Sequence, residues 1–91
     1  MNEKPVMRIN MYGNQVWHLP SKGTYYLHRE DGPAVIYSEK NSGRGKFPYA
    51  WLVHNESVSP KKVQAWMKEN GFTERDFGTP GFGIAFKLGF L

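Results

Sequence analysis

The chain has 91 residues, of which 40% are hydrophobic and 22% charged, a composition typical of a folded domain rather than a disordered one. Its length predicts a single domain over residues 1–91. It contains no cysteine, which excludes a disulfide framework, a thiol nucleophile and a cysteine-based zinc site. Twelve Lys and Arg against eight Asp and Glu give a net charge of +4, which favours an anionic partner.

The amino-terminal residues 1–10 contain no apolar segment of the kind that a secretory signal requires. The longest apolar stretch, residues 81–91, is interrupted by Lys87 and has about half the ~20 residues of a membrane-spanning helix. We therefore expect a protein of the cytoplasm that has no membrane association.

Short runs of strand-forming residues alternate with turn sequences through the first two thirds of the chain. The turns are marked by Gly-Asn at 13–14 and by Asp-Gly-Pro at 31–33, which are strong turn-forming combinations. The predicted strands are 6–12, 15–19, 24–28, 34–37, 47–53 and 57–58. The pattern predicts an α+β fold, in which a twisted antiparallel β-meander of five or six short strands packs against one helix.

That helix is predicted over residues 60–70. Ser59 is a suitable N-cap, Pro60 favours the first helical position, and Gly71 stands where helices commonly end. The helix is expected to pack onto the sheet through one face, made of Val63, Trp66 and Met67. The remaining core is expected from Trp17, Tyr26, Ile36, Trp51 and several carboxyl-terminal phenylalanines.

Near the end of the chain, large apolar residues occupy every second position: Phe82, Ile84, Phe86, Leu88 and Phe90. A spacing of two is typical of a half-buried strand, so a strand is predicted over 82–90. Its apolar face is too large to remain in water in so small a domain. We expect the strand either to close against the helix 60–70 or to pair with a second copy, and the small residues on its other face favour a homodimer.

The most distinctive segment is residues 27–37, Leu-His-Arg-Glu-Asp-Gly-Pro-Ala-Val-Ile-Tyr. Around its Asp-Gly-Pro turn, Arg29 is placed to pair with Glu30 or Asp31 and to hold the corner. Gly32 is expected to supply a positive φ in this turn. A structural role is therefore the first interpretation of the segment, and a role in ligand binding is the alternative.

This segment resembles the LHREDGPAV unit of small bacterial and tailed-phage proteins. In those proteins the unit follows a tryptophan and a glycine and precedes a strand that ends in tryptophan, and Trp17, Gly23 and Trp51 stand in comparable places. The resemblance implies β-hairpin units capped by a helix. It also implies a phage accessory protein that counters host defence in the host cell cytoplasm, for example as an inhibitor of a toxin nuclease.

The residues His28, Glu30 and Asp31 invite a catalytic interpretation, but a base needs a nucleophile within reach. There is no cysteine, and the serines all fall at turn, loop or cap positions. We therefore predict a non-enzymatic protein with no catalytic residue and no cofactor. His18, His28 and His54 lack the short spacing of metal ligands, so structural or surface roles are expected for them and no metal is predicted.

Two groups of cations are candidates for binding an anion or nucleic acid. The first is a glycine-containing loop that carries Lys40, Arg44 and Lys46 and no acid in the stretch 40–46. Two aromatic residues that can stack on bases, Phe47 and Tyr49, follow it. The second is Lys61 and Lys62 in the first helical turn, where a bound anion offsets their repulsion by the helix dipole. A solvated loop and a helix that tolerates its lysines are the alternatives.

Two functions follow from these observations. The first is a non-enzymatic binding protein that inhibits a host factor such as a defence nuclease or toxin, with or without RNA. The alternative is a nucleic-acid-binding module that uses the basic loop and the aromatics alone. The predicted partner-binding or motif residues are His28, Arg29 and Tyr49.

Overall fold

The computed structural model describes residues 3–38 and 48–91. The strands are β1 (Val6–Ile9), β2 (Gln15–His18), β3 (Val35–Ile36), β4 (Tyr49–Val53) and β5 (Glu56–Val58). The helices are α1 (Pro60–Asn70) and α2 (Pro80–Phe90), and single 3-10 turns lie at Pro20–Lys22 and Glu74–Asp76.

The five strands form one antiparallel sheet in the order β1-β2-β3-β4-β5, which confirms the predicted meander and the α+β class. The strand predicted over 24–28 is wrong. From that segment only Leu27 joins the sheet, through a single bridge to His18. Strand β2 pairs with β3 at Gln15 and Val16, so only the end of β2 meets this segment, where the N–H of His28 donates to the carbonyl of Trp17.

Helix α1 has the predicted bounds. The Ser59 hydroxyl accepts a hydrogen bond from the backbone N–H of Lys62, and Gly71 ends the helix in the left-handed region at φ 73°. Val63 is completely buried, and Trp66 and Met67 pack beside it against the core. The predicted helix face is therefore confirmed.

The strand predicted over 82–90 is wrong, because this segment is helix α2. Thr79 caps it by accepting a hydrogen bond from the backbone N–H of Phe82. Phe82 and Phe86, one turn apart, are both fully buried. The apolar spacing of two thus also contains a spacing of four, which a helix uses to bury one face. The segment does close against α1, as one predicted arrangement required, since the Trp66 and Phe90 rings meet 5.3 Å apart.

The core lies between the β4 end of the sheet and the two helices. Trp51 is 3% exposed and stacks on Phe82 and Phe86, at centroid distances of 6.0 and 5.6 Å. Other residues predicted for the core are only half-buried, namely Trp17, Tyr26 and Ile36. The helices cover the β4 side of the sheet, so the faces near β1 are left more open. All four residues of β1 are exposed.

Candidate functional site

The Asp-Gly-Pro corner is built around Arg29. Its Nε donates a hydrogen bond to Asp31 Oδ1 at 2.9 Å, and its Nη1 donates to the carbonyl of Pro33 at 3.2 Å. The guanidinium also lies over the Trp17 ring, 3.8 Å from its centroid. The predicted role of Arg29 in holding the corner is confirmed, and its acidic partner is Asp31.

Gly32 is needed at this corner for a different reason from the predicted one. Its φ is not positive, unlike that of Gly13 or Gly23. A Cβ on Gly32 would instead lie 2.7 Å from Cζ of Arg29, closer than real Cβ contacts come. Glycine therefore makes room for the guanidinium, which its other contacts hold in place.

The corner also joins the sheet to helix α2. The Asp31 carbonyl accepts a hydrogen bond of 2.8 Å from the backbone N–H of Gly78, just before the helix. Inside the helix, a Cβ on Gly83 would lie 3.2 Å from Cβ of Asp31. His28 and Arg29 are only 4% and 7% exposed. Both side chains therefore act within the fold and offer little surface to a partner.

His28 is held by two hydrogen-bonding partners. Its Nδ1 accepts a hydrogen bond of 2.8 Å from the backbone N–H of His54, and its Nε2 lies 3.2 Å from Oε1 of Glu30. The second oxygen of Glu30 meets Lys87 Nζ at 3.1 Å. Burial lowers the pKa of His28, and the charge of His54 lowers it further, although Glu30 opposes this. The ring is therefore neutral near neutral pH.

His28, Glu30 and His54 come together in space, which sequence spacing did not indicate. One potential ligand atom from each lies within 4.8 Å of the others. Because Nδ1 of His28 accepts a backbone hydrogen bond, the neutral ring carries its proton on Nε2. A histidine that binds metal through Nε2 needs the opposite arrangement, with Nδ1–H donating to a neighbour. The cluster is thus arranged for hydrogen bonding and not for metal binding.

A second site, the α1 groove, is open to solvent and lies between α1, the start of β4 and the loop after α1. It has a volume of about 720 Å³. It is lined by Pro48, Tyr49, Trp51, Pro60, Gln64, Met67, Lys68, Phe72, Thr73, Glu74 and Arg75. Most of the lining is aromatic, proline or methionine, and the charged side chains Lys68, Glu74 and Arg75 are exposed. The groove therefore combines an apolar floor with a charged rim.

Tyr49 connects the floor to the rim. Its ring packs edge-on against Phe77 with centroids 5.3 Å apart. Burial raises the pKa of Tyr49, and its hydrogen bond to Glu74 and the charge of that carboxylate raise it further. The hydroxyl thus stays protonated and donates to Glu74. Within residues 3–38 and 48–91, neither Lys68 nor Arg75 forms an ion pair, so the rim presents positive charge.

The other cations predicted to bind an anion differ in their position relative to this groove. At about 100° per residue, Lys61 falls beside Lys68 on the groove side of α1, and Lys62 falls on the opposite side. Lys40, Arg44 and Lys46 lie outside the described residues, so an anion-binding loop stays a prediction. The two ends of that loop are joined where the N–H of Tyr37 donates to the carbonyl of Pro48, which itself lines the groove.

The sequence analysis identified Tyr49 but missed most of the groove. Pro60, Gln64 and Lys68 recur every four residues along α1, a signal that these positions share one helix face. Phe72 and Arg75 could not be predicted from this spacing, because the helix ends at Gly71 and both residues belong to the segment that follows it.

No protein-family model, curated protein or solved structure matches this chain. Across the described ranges, neither of the two helices is long and apolar enough to cross a bilayer, since each has 11 residues.

Proposed function

We propose that this is a non-enzymatic binding protein that holds an acidic segment of a partner protein in the α1 groove. The observation that carries the proposal is the combination of an apolar floor with Lys68 and Arg75 on the rim, two cations that form no ion pair with any residue the structure describes. An apolar side chain of the partner enters the floor, where Met67 and Phe72 adapt around it. Acidic residues beside that anchor meet the two cations.

The biological role proposed for this binding is inhibition of a host factor, such as a defence nuclease or toxin, in the host cell cytoplasm. Its support is the resemblance of residues 27–37 to the unit found in small tailed-phage proteins. The buried positions of His28 and Arg29 are compatible with this role, because they assign the segment to the fold and leave recognition to the groove.

The second candidate is binding of RNA alone. It is supported by the basic side chains beside the aromatic groove, together with the basic sequence of residues 40–46, which contains Lys40, Arg44 and Lys46. Base stacking needs a free aromatic face, however. Trp51 is only 3% exposed, and Tyr49 is already packed against Phe77. We therefore favour the protein partner.

The test is capture of partners from bacterial lysate by the full chain, with and without ribonuclease. A Lys68→Glu, Arg75→Glu variant is compared with a Lys62→Glu, Lys22→Glu variant, which makes the same change in net charge at exposed positions away from the groove. We expect the first variant to lose a ribonuclease-resistant partner and the control to keep it. Equal capture of the partner by both variants would show that the α1 groove is not its binding site.

RNA binding is measured separately with a single-stranded oligonucleotide over a series of salt concentrations. Binding by RNA alone predicts an affinity that falls steeply with salt and a captured complex that ribonuclease removes. That result would replace the proposed protein partner with the second candidate.

A further inference from the structure

Helix α2 has an apolar ridge on the side that faces away from the core. Ile84, Leu88 and Leu91 are 62%, 85% and 62% exposed. Ile84 and Leu88 are one turn apart on one helix face, opposite the buried Phe82 and Phe86, and Leu91 follows directly after the last helical residue. Apolar side chains aligned in this way on a small domain typically mark an interaction surface.

The ridge continues onto the open side of the sheet. Ile84 and Trp17 line a common groove of about 530 Å³ with Pro5. Trp17 stands directly opposite Met7 in the β1–β2 register, so the two side chains share a face of the sheet. Met7 and Ile9 are 46% and 61% exposed. The ridge, Trp17 and β1 together are here called the β1–α2 face, on which Ile84 and Trp17 border the groove.

The charges around this face are of both signs. The same groove is lined by three cations, Lys4, Arg29 and Lys87, and by three acids, Glu3, Glu30 and Asp31. Within one copy Lys87 pairs with Glu30, and Arg29 pairs with Asp31. The face therefore has no excess of either charge. Two copies can meet there across a two-fold axis without repulsion between like charges.

The area required is also compatible with a second copy. A stable interface takes about 800 Å² from each partner, which is about one eighth of the 6501 Å² surface of this chain. Strand β1 exposes all four of its residues at the sheet edge, and an 11-residue helix presents its whole outer side next to it.

We propose that two copies of the chain associate through the β1–α2 face, with the α2 ridges packed against each other across a two-fold axis. The α1 groove is formed by other residues and stays open in each copy. The homodimer is thus independent of the partner binding proposed above.

The first test measures the mass of the full chain by analytical ultracentrifugation from micromolar to millimolar concentration. We expect twice the 10.5 kDa mass of one chain. Leu88→Glu is expected to raise the dissociation constant at least tenfold, and Tyr25→Glu, which changes an equally exposed apolar residue elsewhere, is expected to leave it unchanged. A wild-type monomer at all concentrations would overturn the proposal, as would a dimer that only Tyr25→Glu weakens.

The second test uses the absence of cysteine from the chain. A single Leu88→Cys substitution should form an intermolecular disulfide rapidly under mild oxidation, because the two copies of residue 88 lie close to the axis. Tyr25→Cys serves as the control for random collision. Equal crosslinking rates for the two variants would also reject the interface, and near-identical melting curves would show that both variants are folded.

Discussion

The guanidinium of Arg29 lies 3.8 Å from the centroid of the Trp17 ring, so a buried charge is held between strand β2 and the Asp-Gly-Pro corner. The charge is stabilised there by Asp31 and by the carbonyl of Pro33. An aromatic face and two acceptors compensate for the loss of water around the guanidinium. Arg29 therefore links the most distinctive sequence segment to the sheet.

Replacement of this arginine tests that role. Arg29→Met keeps an apolar stem over Trp17 but removes the charge and both hydrogen bonds. We expect the free energy of unfolding, measured in urea, to fall by about 2–3 kcal/mol. Lys62→Met, at an exposed position of α1, should change it by less than about 0.5 kcal/mol. Similar losses in the two variants would contradict a structural role for the corner.

Gly32 provides a second test, which separates a steric cause from a conformational one. Gly32→Ala should lower the free energy of unfolding by about 1–3 kcal/mol, because its Cβ would overlap the guanidinium of Arg29. In the Arg29→Ala background the same substitution should cost much less, since the overlapping group is gone. An equal cost in both backgrounds would show that the backbone, and not Arg29, requires glycine.

The pKa of His28 predicts how stability depends on pH. Since burial lowers this pKa from its ordinary value of 6.5, protonation favours the unfolded chain. The stabilisation from the neutral ring is complete above about pH 6.5 and is lost as the pH falls through the lower pKa of the folded state. We expect the Tm to fall between pH 7 and pH 5.

The control for this pH dependence is His28→Asn, whose side-chain oxygen can replace Nδ1 as the acceptor for the N–H of His54. This variant should have a flatter dependence of Tm on pH, because the side chain does not titrate. Parallel curves for the wild type and the variant would show that His28 is not the source of the effect.

Local signals were sufficient for much of the fold. Ser59, Pro60 and Gly71 act on backbone groups within a few residues, so they fixed both ends of α1 without any knowledge of the tertiary structure. Five of the six predicted strands were found for the same reason, since a run of strand-forming residues bounded by turn residues is a local signal.

The site depended on contacts between distant segments, and these had no local signal. His54 reaches His28 only because the β4–β5 turn returns to the corner, where the N–H of Asn55 donates to the carbonyl of Leu27. The α1 groove needs β4, α1 and the loop that follows α1 to meet. Helix α2 was mistaken for a strand because its large apolar residues recur every second position, while the phenylalanines among them recur every fourth.

The helical state of α2 has a consequence that a strand would not share. In a strand over 82–90, Phe86 and Leu88 would lie on the same face and substitutions at the two positions would have similar costs. In the helix, Phe86 is fully buried between Trp51 and Trp66, and Leu88 is 85% exposed. Phe86→Ala should therefore lower the free energy of unfolding by about 3–5 kcal/mol.

Leu88→Ala should lower the free energy of unfolding by less than about 0.5 kcal/mol when measured at concentrations where the chain is monomeric. Denaturation followed by circular dichroism gives both values. Deletion of residues 82–91 provides an independent check, because it should remove helical signal from the spectrum. Gly81→Ala is a useful third variant, since a Cβ there meets open space and alanine favours the helix by up to about 1 kcal/mol. Equal losses of unfolding free energy at positions 86 and 88, together with a destabilising effect of Gly81→Ala, would contradict the helix and support a strand over 82–90.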